Sequence, residues 1–312
     1  MAKKPRNKYL DYIVYVVVRT LTMFVHMYSW EANYRMARQL ADVLYRVVGR
    51  YRKRALAHLK LSFPDWSDAR CEKVARASMR NFAYLGLEVL FTTRLITPGS
   101  WRRHIVLEKQ GENIRMLLEN KTGMIYVTGH FGNWEVVGYT MAALGFPNTA
   151  VARPLDNPYL NEYILGVRQN KGMTILDKAG ATTDIEPLLE RNGTVSFIAD
   201  QDAGRRGCFV DFFGRKASTY KSIALLAMTH NVPVVVGYGR RLEERFRFAI
   251  GVQRIIHPHE WADKDDPMRW ITQEYTTALE DVIRTAPEQY LWGHRRWKHR
   301  PKGEEPSPDG IA

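Results

Sequence analysis

Cysteine is almost missing from this chain of 312 residues: Cys71 and Cys208 stand far apart and outside any CxxC pair. That excludes a disulfide scaffold and a cysteine-built zinc site, and it fits a reducing compartment. Neither thiol has a histidine near it in sequence, which argues against a catalytic cysteine. Long uncharged apolar runs are missing too. The most apolar stretch, Tyr9 to Tyr28, carries Asp11, Arg19 and His26, where a clean spanning helix asks for about 20 residues almost free of charge. No small-residue cleavage site follows, so the stretch is not read as a removed signal peptide. Acids are in deficit: 33 Asp plus Glu stand against 46 Lys plus Arg, a net charge of +13. At 45% hydrophobic and 25% charged residues, the chain is neither disordered, collagen-like nor polytopic in a membrane. The surplus of cations points to a polyanionic partner, nucleic acid or an anionic lipid surface.

What is present divides the chain into three parts. Residues 1–30 join Lys3, Lys4, Arg6 and Lys8 to the apolar stretch, a pattern for a membrane anchor or interfacial helix with its basic end on the cytoplasmic side, or for a helix packed on the domain. Residues 31–302 form one domain without internal repeat or linker, and 303–312 a loose tail. Helical spacing runs from 31 to about 94, broken at Ser62-Phe63-Pro64-Asp65-Trp66 and restarted by Ser67 as a cap. Buried-strand runs then follow at Met124–Thr128, Thr194–Ala199 and Val232–Tyr238, with an alternating one at Arg245–Val252. Helical stretches lie at Trp134–Leu144, Pro158–Asn170, Ile185–Arg191 and 267–285. The expected fold class is α/β, a layered αβα core around a mixed central sheet, behind an N-terminal helical membrane-associated segment.

Most of the chemical information lies in Tyr126-Val-Thr-Gly-His130-Phe-Gly-Asn-Trp-Glu135. A strand ends at Thr128, two glycines bracket His130 and Phe131, and Asn133 offers a helix N-cap. Inside one helix, residues five apart diverge by about 140°, so His130 meets Glu135 only from the turn before the helix. Sites of open α/β sheets lie beyond strand carboxyl ends, which makes His130–Glu135 a candidate catalytic dyad. A neutral imidazole takes a proton from a hydroxyl, and a carboxylate on its other nitrogen fixes the tautomer. No serine or cysteine neighbours His130, so the nucleophile is a substrate hydroxyl and no covalent enzyme intermediate is expected. HExxH is absent, and neither a metal nor an organic cofactor is required. The bland alternative is a first-turn Glu answering the helix dipole beside a surface histidine.

Three further clusters converge. Arg153-Pro-Leu-Asp-Asn-Pro158 turns into a helix that carries Arg168, and either guanidinium suits a phosphate or an oxyanion. Asp200-Gln201-Asp202 ends a strand and suits sugar or hydroxyl recognition, with solvated turn acids as the alternative. Tyr290-Leu-Trp-Gly-His294-Arg-Arg-Trp-Lys-His-Arg-Pro301 interleaves aromatics with cations, which fits a membrane interface, stacking on nucleic acid, or a structural Trp–Arg clamp.

His130-Phe-Gly-Asn-Trp-Glu135 resembles the His-x4-acid motif of the lysophospholipid acyltransferase superfamily, and within it the chain resembles the bacterial lipid A late acyltransferases, the lauroyl and myristoyl transferases. Arg153-Pro-Leu-Asp-Asn-Pro, Ala199-Asp-Gln-Asp-Ala-Gly with Phe209-Val-Asp-Phe-Phe-Gly214, and Tyr290-Leu-Trp-Gly-His-Arg-Arg-Trp-Lys match in order, as does Leu61-Ser-Phe-Pro64. His58 stands where that pattern has an asparagine. The resemblance implies acyl transfer from an acyl carrier protein or coenzyme A thioester to a hydroxyl of an anionic glycolipid, at the cytoplasmic face of the bacterial inner membrane. It implies His130 as base, Glu135 as its partner and Arg168 as the active-site arginine. Substrate contacts are expected from Arg153, Asn133, Asp200 and Gln201, with no nucleic-acid partner. The family also includes mannosylated phosphoinositide acyltransferases. A lipid or thioester hydrolase on the same dyad, and a nucleic-acid-binding protein without catalysis, are the alternatives.

Overall fold

The computed structural model describes residues 7–152, 154–169, 173–177 and 181–304. Helix α1 (Lys8–Met27) is capped by the Asn7 carboxamide, which accepts from the Tyr9 and Leu10 amides. Helices α2 (Trp30–Val47), α3 (Gly49–Ser62) and α4 (Asp68–Leu95) follow. The chain turns where Phe63-Pro64 interrupts the helical spacing, and the Ser67 hydroxyl accepts from Arg70 N–H to restart it.

Among the described residues, α1 is the one helix long and apolar enough to cross a membrane, by length and composition. It meets the protein along a single face. Asp11 and Thr22 are buried, and Tyr15, Val18 and Val25 partly so, at helical spacing. Asn157 donates to the Asp11 carbonyl at 2.8 Å, Asn33 to that of Val25 at 2.8 Å, and the Arg19 guanidinium lies 4.6 Å from the Tyr163 ring. The opposite stripe of Leu10, Ile13, Val14, Val17, Leu21 and Phe24 is 41–58% exposed. The segment is therefore packed on the domain and at the same time presents an apolar face.

Beyond α4 the chain alternates as expected. Strand β1 (Ile105–Glu108), helix α5 (Gly111–Glu119), strand β2 (Met124–Thr128), helix α6 (Trp134–Ala143) and strand β3 (Asn148–Ala152) are followed by α7 (Pro158–Gln169), β4 (Met173–Asp177), α8 (Ala181–Glu190) and β5 (Thr194–Ile198). A hairpin of β6 (Cys208–Phe212) and β7 (Arg215–Thr219) stands apart. Then come α9 (Ser222–His230), β8 (Val234–Arg241), β9 (Phe248–Ile256), α10 (Pro258–Trp261) and α11 (Pro267–Thr285). The main sheet has seven strands in the order β1-β9-β8-β2-β5-β3-β4. All its pairs are parallel except β8 with β9, so the sheet is mixed.

Period-two alternation sends neighbouring side chains to opposite faces. Met124 and Tyr126 of β2 join Val235 of β8 in a core with Tyr84, Leu87 and Phe91 of α4 and Val136 and Val137 of α6. Ile125 and Val127 join Val234 and Val236 in a second core with α8, α9 and α11. Every residue of β2 is buried, as a strand covered by helices on both faces must be. This is the layered α/β arrangement the alternation of elements predicts. A third core packs Phe131 with the hairpin's Phe212 and Phe213 and with Tyr290, Trp292 and Trp297.

Candidate active site

The turn that carries His130 leaves the central strand β2, and its neighbour β5 runs parallel with Thr128 opposite Ile198. Two residues further on, the same register brings His130 beside Asp200. Asp200 Oδ2 accepts the His130 backbone N–H at 2.9 Å, and Oδ1 lies 2.7 Å from His130 Nδ1. An ionised carboxylate only accepts hydrogen bonds, so Nδ1 carries the proton and Nε2 is left as the basic nitrogen. Asp200 is 1% exposed. Burial alone would raise its pKa, but the His130 ring, the two hydrogen bonds from that residue and nearby His294 hold it below the usual carboxylate range.

Behind the turn the backbone is fixed from several sides. Gly132 adopts φ +58°, and a Cβ there would run into the Gly239 carbonyl of β8, so no other residue fits without moving a strand. Asn133 N–H donates to that carbonyl at 2.7 Å, and Gly132 N–H to the Gln289 carbonyl at 2.9 Å. The Asn133 Oδ1 caps α6 by accepting from Val136 N–H at 3.0 Å, while its Nδ2 donates to Glu88 Oε2 at 2.8 Å. Glu88 is wholly buried. It also takes the Tyr34 hydroxyl at 2.6 Å and the Arg241 guanidinium through Nε and Nη2 at 2.5 and 2.7 Å.

The expected site residues separate on this geometry. Glu135 is partly buried in the first turn of α6 and borders an apolar cavity, while the seat on Nδ1 foreseen for it belongs to Asp200. Asp200, expected among the substrate contacts, is too deep to meet one and serves His130 instead. Asn133 was expected to touch substrate as well, but it is 0% exposed and both ends of its amide are engaged within the protein. Gln201 is exposed, and its amide lies 3.4 Å from His130 Nε2. Arg153 lies outside the described residues; Arg168 falls on α7, with its side chain outside them.

The buried part of the aromatic and cationic segment after Tyr290 forms a structural clamp. Trp292, Trp297 and Arg296 are buried to within 1%, and the Arg215 guanidinium lies 3.8 Å from the Trp297 ring centre. Arg296 donates to the Gln201 carbonyl at 3.1 Å and that of Ser218 at 2.6 Å, fixing the loop that carries Gln201.

One ring from His130 opens the cavity. Trp134 packs its indole 4.8 Å from the imidazole and also lines the space, with Gly138, Ala150, Met173, Phe197 and Ile198. Part of the space is open to solvent. Among the described residues, no group of three or more His, Cys, Asp or Glu is arranged to hold a metal ion.

Comparisons with known proteins agree with the resemblance. The family model for bacterial lipid A biosynthesis acyltransferase matches residues 1–299. The lipid A biosynthesis lauroyltransferase of Escherichia coli is 28% identical over 273 residues, 86% of each chain. The palmitoleoyltransferase of that organism is 29% identical over 258 residues, 80% of this chain and 79% of its own. The myristoyltransferase is 26% identical over 259 residues, 81% and 77%.

Proposed function

Because the chain belongs to the bacterial lipid A biosynthesis acyltransferase family, we propose that it moves a fatty acyl chain from an acyl carrier protein or coenzyme A thioester to a hydroxyl of a lipid A precursor. The observation that carries this reading is His130 itself. Its Nδ1 is tied to a buried carboxylate, and its Nε2 is turned toward the exposed Gln201 beside an apolar cavity. In the proposed reaction the acceptor hydroxyl takes the place of the Gln201 amide at Nε2. Its oxygen attacks the thioester carbonyl carbon as Nε2 takes its proton, and the C–S bond breaks as the thiolate leaves and takes the proton back. Asp200 orients the ring and stabilises the imidazolium. Glu135 adds the second carboxylate of the His-x4-Glu pair, and Arg153 and Arg168 are assigned to the acceptor's phosphates. The net charge of +13 and the apolar face of α1 support work at the cytoplasmic face of the inner membrane.

The test is direct. Purified protein in detergent is given radiolabelled acyl-carrier-protein or coenzyme A thioester with a lipid A precursor, and the lipids are resolved. A more heavily acylated lipid, absent with His130→Ala, supports the reading. Free fatty acid alone favours a hydrolase, and an acylated product only with another glycolipid moves the acceptor.

The cavity is the proposed acyl site, which yields a second expectation. A Cβ on Gly138 would stand 3.1 Å from Asn148 Nδ2 and 3.3 Å from Met173 Sδ, so a branched side chain there fills the space. Gly138→Val should lower the rate with the longest acyl donor at least ~10-fold relative to a shorter one, the scale at which pockets discriminate a few methylenes. Equal effects on all chain lengths would remove the acyl chain from this cavity.

A further inference from the structure

Tyr290 pairs with Phe131 as an antiparallel bridge, and Leu291 N–H donates to the His130 carbonyl at 3.1 Å. The next residues are pinned by α3. The Trp292 carbonyl lies 2.9 Å from His58 Nδ1, and the Gly293 carbonyl accepts from Arg54 Nη1 at 2.9 Å. The Tyr51 ring closes on the Gly293 α-carbon so tightly that a Cβ there would collide with it. His294 follows, its own N–H bonded to the Leu291 carbonyl at 3.1 Å.

This support holds the His294 imidazole with its ring centre 4.4 Å from that of His130, the planes inclined by 63°. The ring is partly buried, yet neither of its nitrogens has a hydrogen-bond partner among the described residues. A neutral imidazole has one N–H donor and one acceptor nitrogen, so this ring keeps a donor to spare for a substrate atom. A rigidly held imidazole with an unused N–H, facing the general base, has the features of a preorganised donor.

Resting on the acyl-transfer reading above, we propose that His294 is a second catalytic imidazole, which donates an N–H to the thioester carbonyl oxygen as that oxygen becomes negative. Attack by the acceptor oxygen opens the C=O π bond, and its electron pair moves onto the oxygen beside His294. Collapse of the tetrahedral intermediate restores the carbonyl and expels the thiolate, so His294 keeps its proton throughout. Burial first, then the neighbouring His130, Arg54 and His58, push the His294 pKa down to about 4. The ring is thus neutral at neutral pH, where it donates a hydrogen bond without repelling the imidazolium that forms on His130.

The experiment compares wild type with His294→Ala, His294→Phe, His294→Asn and His294→Gln, reading thioester consumption and lipid product side by side and checking folding by thermal unfolding. Loss of one oxyanion donor lowers kcat by about 10²–10³-fold. The alanine and phenylalanine variants should both show that loss at little-changed KM, although phenylalanine keeps a flat ring against His130. One of the two amides, whichever places its N–H where the working ring nitrogen stood, should regain part of the rate. Near-normal kcat in the folded phenylalanine variant would show that the ring only packs, and a loss confined to KM would make it a binding group; either overturns the proposal. The same carbonyl chemistry occurs in transfer and in hydrolysis, so thioester consumed without lipid product sinks the glycolipid reading while still testing His294. Wild type that consumes no thioester overturns both.

Discussion

Asp200→Asn is expected to lower acyl transfer by about 10³–10⁴-fold with donor KM little changed, the scale of an imidazole held in the wrong tautomer. The size follows from the two bonds Asp200 accepts. One oxygen takes the His130 backbone N–H at 2.9 Å and the other faces Nδ1 at 2.7 Å. An asparagine has a single acceptor oxygen. Once that oxygen meets the backbone N–H, the amide donates to Nδ1 and drives the ring proton to Nε2, where no base is left for the acceptor hydroxyl. The variant should fold, because shape is kept and one of the two bonds survives. Steady-state rates measure the loss, and nitrogen chemical shifts of labelled His130 report which ring nitrogen is protonated. A rate within tenfold of wild type, or an unchanged tautomer, would remove Asp200 from the mechanism. Glu135→Ala is expected to cost about 100-fold, the range of lost acid–base assistance. A larger loss there than at Asp200 would return the leading acidic role to Glu135.

The different placement of these two acids shows what the sequence can and cannot carry. The turn around His130 is legible because everything it needs is local: a strand of five apolar or β-prone residues, two bracketing glycines and an N-cap. The β2, β5 and α6 boundaries fall within a residue of those expected. Asp200 is 70 residues away in sequence, and it reaches His130 only because β2 and β5 pair in the main sheet. No pattern inside either segment announces that register, so the contact between His130 and Asp200 is not legible in the sequence. Strands β3 and β4 are not legible for a different reason. Asn148–Ala152 and Met173–Asp177 lie at or next to the sheet edge with mixed burial, and edge strands have no continuous apolar run to read. The alternation from Arg245 to Val252 marks strand β9, which begins later, at Phe248, and runs on to Ile256 because it carries Gln253 and Arg254 beyond the alternating part. The Trp292–Trp297 clamp was legible as composition, and its burial was decided by the hairpin that covers it.

The second large effect is expected behind the His130 turn, at Glu88. Its carboxylate is fully buried against Arg241, itself 6% exposed, and the two join α4 to the end of β8. Asn81 and Gln289 complete the enclosure, Asn81 by accepting from Arg241 and Gln289 through its amide to the Arg241 backbone. Burial disfavours the guanidinium charge, but Glu88 and the Tyr34 hydroxyl more than restore it, so Arg241 stays charged. Glu88→Ala would leave that charge unpaired in the interior, at about 3–5 kcal/mol of stability. Chemical denaturation measures it, and a loss below about 1 kcal/mol, the range of an ordinary surface pair, would show that water reaches the site. Replacing both residues, as Glu88→Met with Arg241→Met, removes the unpaired charge and should recover most of the stability. Activity should not return in parallel. Glu88 also accepts from Asn133, the residue that caps α6 and closes the turn carrying His130, and methionine offers Asn133 no comparable acceptor. A double variant that is stable but slow in kcat would therefore separate the two services of one carboxylate. If rate and stability recover together, the network holds the fold alone and the turn keeps its geometry without it.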